Sequence, residues 1–177
     1  MPHACDASPR HSGSGRRGLL AGLQADGRVA VHGAFVHLPE HGVRLSAAEE
    51  RIAQKVAPLL AGGGFEGVWA RDLARDAREP EALLRTTLAR LAQRGELHQV
   101  VKDLYYAPAT IVRLAALARE VAAASDRTVS AAAFRDATQL GRKRTIQLLE
   151  YFDRVGMLRR VGDVHRLRSD TTLFMEP

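Results

Sequence analysis

The chain has 177 residues, is 46% hydrophobic and 26% charged, and carries a net charge of +6, a composition that suits a folded protein able to bury a core and excludes wholesale disorder. Its single cysteine, Cys5, excludes a disulfide framework and any metal-ligand cysteine spacing, which fits a reducing cytoplasm. No run approaches the roughly 18 uninterrupted apolar residues of a membrane span, and the start lacks the apolar centre of a secretory signal, so neither membrane nor export is expected.

Residues 1–18, "MPHACDASPRHSGSGRRG", have no hydrophobic period and are rich in Gly, Ser, Pro and His, the composition of a flexible leader. Within residues 19–44, "GRVAVHGAFVHLP" holds two short β-rich runs around His32 and Gly33 and predicts a hairpin. A bare hairpin is marginal in water, so it should lean on something.

From Ser46 the pattern turns helical. Ser46 and Glu49 form a capping box, and Ile52, Val56, Leu59 and Leu60 mark one face. Pro58 predicts a kink or an early stop, and the glycines at 62–64 an end. "VWARDLARDA" predicts a short second helix with Trp69, Leu73 and Ala77 at spacings of four. "EPEALLRTTLARLAQRG" predicts a third, with Pro80 in the first turn, acids that suit the helix dipole, and Gly95 just past the end. "ELHQVV", Lys102-Asp103 and "LYYA" follow as a hairpin, with adjacent Tyr105 and Tyr106 expected to face opposite ways, one in and one out.

The order then repeats. "PATIVRLAALAREVAAAS" is one helix, Ser130 caps a second, "AAAFRDAT", and residues 141–155 form a third ended by Gly156. "MLRRV", Gly162-Asp163 and "VHRLR" make a hairpin. At an offset of 61 residues Gly95 meets Gly156, Leu88 meets Leu149, Leu91 meets Phe152 and Leu97 meets Leu158. Two complete helix-helix-helix-hairpin units therefore occupy 45–107 and 108–177, and 19–44 reads as the last hairpin of a preceding unit. The expected fold class is mostly α with small β-hairpins, a tandem of winged-helix modules, each a helix-turn-helix variant with a wing.

No convergent reactive set points to catalysis. The histidines are scattered, no phosphate-binding loop motif occurs, and acids alternate with arginines as on a solvated helix face, so no catalytic residue, metal or cofactor is expected. Trp69, Phe134, Tyr151 and Phe152 fall among aliphatics at helical spacing and are expected in the core.

Charge is the sharper signal. Residues 45–107 carry nine basic and nine acidic side chains, whereas residues 139–168 carry eight and three. The third helix of the last unit opens with Gly141, Arg142, Lys143 and Arg144, at the end where an exposed cation costs about 0.3–1 kcal/mol. Its second half, Ile146, Leu149, Phe152 and Val155, reads as the core stripe. An external anion reverses the sign at the tip, because free backbone N–H groups and the dipole already favour phosphate there. The wing adds Arg159 and Arg160 before its turn and Arg166 and Arg168 after it. The exposed helix face offers only Gln147, Glu150 and Arg154, which leans toward backbone and tip contact with RNA rather than base reading in a DNA groove. A DNA-binding transcriptional regulator and a spacer that only holds other domains apart are the competing readings.

The string "FRDATQLGRKRTIQLLEYFDRVGMLRRVGDVHRLR", residues 134–168, closely resembles the C-terminal winged helix of the bacterial selenocysteine-specific translation elongation factors (SelB), and "VWARDLARDA" with "LARLAQRGELHQVVKDLYYAP" resembles the module before it. The resemblance covers about residues 45–177. It implies a C-terminal piece of a GTPase with four winged helices, whose last one binds an mRNA hairpin, the selenocysteine insertion element. Carried over, Gly141, Arg142, Lys143 and Arg144 stand at the helix tip, and Arg159, Arg160, Gly162, Asp163 and His165 around the wing, with Arg135 and Gln139 nearby. Asp163 could serve only the turn, and His165 could be a packed strand residue. The ribosome and selenocysteinyl-tRNA are implied as partners only through a full-length factor, since this chain holds no GTP-binding or tRNA-binding domain. A monomer is expected.

Overall fold

The computed structural model describes residues 44–175 in full, together with the backbone of β1 (Ala30–His32) and β2 (Phe35–His37). These two strands pair as a separate two-stranded sheet where a hairpin is expected. The expected leader lies outside the described residues.

The first helical unit opens with α1 (Ala47–Gly62). Ser46 caps it through its hydroxyl, and the Glu49 carboxylate accepts from the Ser46 backbone N–H at 2.8 Å. Glu49 is buried there and accepts from Arg90 of the third helix with both oxygens at 2.7 Å, which ties the two helices together. α1 neither stops nor breaks at Pro58. Pro58 and Gln54, four residues earlier, are both exposed, so water can satisfy the carbonyl that the proline leaves without a donor.

Trp69 does not start the second helix. Val68–Trp69 forms a short strand, β3, after a single 3-10 turn at Gly64–Glu66, and α2 (Ala70–Ala77) begins after it. Pro80 sits at the cap just before α3 (Glu81–Gln93). β4 (His98–Val101) and β5 (Leu104–Tyr106) pair antiparallel around Lys102-Asp103, with an irregularity at Val100 and Asp103 in the left-handed region at φ 63°.

The second unit repeats this plan with α4 (Pro108–Ala123), β6 (Thr128–Val129), α5 (Ala131–Thr138), α6 (Arg142–Arg154), β7 (Leu158–Val161) and β8 (Val164–Leu167). Ser130 caps α5 by accepting from Ala133 N–H at 3.1 Å. Each wing is thus a three-stranded antiparallel sheet, β3-β5-β4 and β6-β8-β7, rather than a two-stranded hairpin. No helix among the described residues is long and apolar enough to cross a membrane.

Two hydrophobic clusters organise this arrangement. One gathers Ile52, Val56, Leu73, Leu84, Leu88 and Tyr105. The other gathers Ile111, Leu114, Phe134, Leu148, Leu149 and Phe152, and it also takes Val100, Leu104 and Tyr106 from the first sheet. Tyr105 and Tyr106 do face opposite ways, yet both are buried, so the expectation that one of them is exposed fails. The physical reason is that β5 is covered on both sides: alternation sends Tyr105 into the first cluster and Leu104 and Tyr106 into the second. Trp69, by contrast, is only partly buried and lies at the edge of the second cluster.

Candidate nucleic-acid interface

α6 starts at Gly141 with no side-chain cap, and no acid lies in its first turn. The first-turn N–H groups thus open toward a side where Arg142 and Lys143 are exposed and pair with no described residue. The helix-terminus dipole, these donors and two cations with no described partner make a local site for an anion.

Arg144 behaves differently from its two neighbours. Its side chain is only 13% exposed, its Nε donates to Glu66 Oε2 at 3.2 Å, and its guanidinium lies 5.4 Å from the centre of the Trp69 ring. Nη1 also donates to Gln147 Oε1 at 3.1 Å. Arg144 is therefore turned back onto the first unit, where a carboxylate and an aromatic face hold it, rather than presented at the tip. The Glu66 end of this contact is itself fixed: the Tyr106 hydroxyl lies 3.1 Å from the carbonyl oxygens of both Phe65 and Glu66. Burial raises the Tyr106 pKa, so the phenol stays a donor.

Further contacts lock the units together below the tip. His98 Nδ1 and the Tyr151 hydroxyl are 2.8 Å apart, and Phe174 lies edge-on to His98 with ring centres at 5.5 Å. Arg154 Nη2 donates to the Val100 carbonyl at 2.7 Å. Burial lowers the His98 pKa to about 4 and raises that of Tyr151, so both are neutral at pH 7. Ile146 is 38% exposed and falls outside the buried set, whose members on α6 are Thr145, Leu148, Leu149, Tyr151 and Phe152. The exposed helix face is thus poor in base-reading groups: Gln147 is tied to Arg144 and Arg154 to the strand carbonyls, which leaves Glu150.

The wing arginines divide between two faces. Leu158 pairs with Leu167 and Arg160 with His165, and these residues share the inner face of the sheet, toward α6. His165 is buried there with its Nδ1 2.7 Å from Asp153 Oδ2, a packed strand residue that holds the sheet to α6. Arg160, nearer the tip and exposed, donates from Nε to the Gly162 carbonyl at 3.2 Å. Gly162 has φ 60° at the first central position of the turn, where a glycine costs nothing sterically, and Asp163 is exposed beside it. Arg159 pairs with Arg166 on the opposite, outer face. Arg135 is exposed and held by Asp136 at 2.9 Å, and Gln139 is exposed in the left-handed region at φ 58°.

Sequence reasoning found the tip cluster but missed Glu66 and Trp69 as partners of Arg144. The only signal available was a cation at the wrong end of a helix, which equally suits an internal carboxylate and an external phosphate.

Comparison with known proteins sharpens this picture. Residues 45–106 match the family described as "Selenocysteine-specific elongation factor, winged helix domain", and residues 121–167 match "Elongation factor SelB, winged helix". The chain is 40% identical over 158 residues to the selenocysteine-specific elongation factor of Escherichia coli (strain K12), a match that covers 89% of this chain and 25% of the relative. The Haemophilus influenzae factor is 34% identical over 144 residues, covering 81% and 23%. The chain thus spans about a quarter of the length of the curated relatives it matches. Among solved structures, the mRNA-binding domain of elongation factor SelB from E. coli in complex with SECIS RNA is similar at 42% identity and a TM-score of 0.65, covering 71% of this chain and 100% of that one. A bacterial selenocysteine-specific factor, at 20% identity and a TM-score of 0.53, shares the fold over 85% of this chain and 23% of its own.

Proposed function

The chain belongs to the selenocysteine-specific elongation factor (SelB) family, in its C-terminal winged-helix region, and from that premise we propose that its last module binds an mRNA hairpin that directs selenocysteine insertion. The observation that carries this is the uncapped start of α6, where backbone donors, Arg142 and Lys143 are exposed and no described residue pairs with the two cations. Phosphates of a hairpin would accept from the Gly141–Arg142–Lys143 tip, with Arg160 and the Gly162–Asp163 turn approaching from the wing. The solved E. coli domain, bound to SECIS RNA, supports the reading at 42% identity. Arg135 and Gln139 flank the tip as secondary contacts, while Arg144 and His165 position the helix and the sheet. A DNA regulator is disfavoured by a recognition helix whose polar side chains are largely occupied internally. GTP hydrolysis, selenocysteinyl-tRNA, the ribosome and the cytoplasm belong to the reading only through a longer factor that contains this region.

The test is a filter-binding titration with the SECIS RNA of the E. coli relative. Arg142→Ala combined with Lys143→Ala should weaken binding about tenfold or more and make its salt dependence shallower, since each lost phosphate contact removes about one released counterion. Equal affinity and equal salt slope in the double variant would refute it.

A further inference from the structure

The two sheets share a plan but differ on their outer faces. In the first sheet that face carries His98, Val100, Leu104 and Tyr106, and all four are buried against the second unit. The matching positions around the turn of the last sheet are Arg159, Val161, Val164 and Arg166. Here no described unit covers the face: Arg159 and Arg166 are exposed, and Val161 is 52% exposed. The face opens into a hollow of about 620 Å³ lined by Arg127, Arg159, Arg166, Arg168 and Asp170, among others.

Among the described residues four guanidinium groups and one carboxylate line the hollow, and of the four only Arg127 donates to the main chain, at 3.0 Å from the Leu167 carbonyl. Arg159 and Arg166 stand directly opposite each other across the ladder, where like charges are destabilising. Arg166 does have Asp126 at 3.6 Å, but that acid is 92% exposed and the pair is long, so it offsets little. An apolar partner like the second unit is excluded by the same arginines. No aromatic among the described residues lines the hollow to offer a platform for base stacking, and guanidinium forks suit phosphate.

We propose that this outer face is a second RNA surface, which holds the phosphate backbone of the strands that flank the hairpin gripped at the α6 tip. The proposal rests on the hairpin reading above. The same RNA is the favoured occupant because its flanking strands are tethered: once the hairpin is seated, they are present at an effective concentration of order millimolar, which no free RNA matches. A backbone site of this kind adds affinity and salt dependence without sequence preference.

The experiment compares two probes on the full chain: the E. coli SECIS RNA as a minimal hairpin, and the same hairpin with single-stranded 5′ and 3′ extensions of unrelated sequence. Wild type should bind the extended probe about tenfold more tightly. Arg166→Gln combined with Arg168→Gln should abolish that gain and reduce the salt slope for the extended probe by about 1.4, at about 0.7 per phosphate on a single strand. Binding of the minimal hairpin should be unchanged. Equal losses on both probes, or none on either, would overturn the proposal, as would displacement of the extensions by poly(U) added in trans at micromolar concentration. If wild type fails to bind even the minimal hairpin, the hairpin reading fails instead. Binding of poly(U) to the outer face, lost in the Arg166/Arg168 variant, would then separate a general polyanion surface from the tethered site and overturn the latter.

Discussion

Lowering the pH should weaken this protein through one buried side chain, His98. In the folded state the His98 side chain, at the start of β4, is buried against Tyr151 and Phe174, and desolvation lowers its pKa from 6.5 to about 4. A depressed histidine pKa means that the unfolded chain takes up the proton first. The stabilising effect of keeping His98 neutral is thus full above about pH 6.5 and is lost as pH falls from there toward 4, below which both states are protonated. At 1.36 kcal/mol per pKa unit the complete loss is about 3 kcal/mol, of which about 2 kcal/mol falls between pH 7 and pH 4.5. Carboxylates titrate over part of the same range, so the quantity to measure is a difference. Urea denaturation of the wild type and of His98→Gln at pH 7 and pH 4.5 should show the variant less stable at pH 7 but less sensitive to acid, by about 2 kcal/mol. A pH dependence of equal size in the two proteins would refute the assignment.

Two further outcomes follow from contacts at the 3-10 turn. Glu66→Gln removes an exposed carboxylate beside the basic tip; stability should change by less than about 1 kcal/mol, while affinity for the SECIS RNA at low salt should rise about threefold as local repulsion falls. A weaker complex in that titration would mean that Arg144 must be held by Glu66 for the tip to work. Gly67 has φ 67° and ψ −179°, and a methyl group there would meet the Tyr106 ring at 2.5 Å. Gly67→Ala should cost about 3 kcal/mol in chemical denaturation through backbone strain and crowding, and a loss near zero would show that the ring can move aside.

The repeat was readable because its markers are local. Gly95 and Gly156 both follow the third helix at positive φ, and Leu88 and Leu91 of one third helix recur as Leu149 and Phe152 of the other. The third strand of each sheet escaped because Val68–Trp69 and Thr128–Val129 are two residues long, too short to show alternation. At the site, Arg142 and Lys143 could be read from chemistry at a helix start, since that depends on the next few residues alone. Arg144 could not: its carboxylate partner lies 78 residues away in the chain. The burial of both adjacent tyrosines shares that cause, because the side chain of Tyr106 is covered by the neighbouring unit and not by the strand's own module.

β5 has a consequence for how the start of α6 is aimed. A strand whose alternate side chains serve two different cores resists hinging, because a swivel between the units would pull Leu104 and Tyr106 out of the second cluster and into water while Tyr105 stayed in the first. The two winged helices are joined through shared packing, so the direction in which α6 points depends on the unit before it. The orientational entropy of the tip is lost during folding and need not be lost again when a ligand of the proposed kind binds.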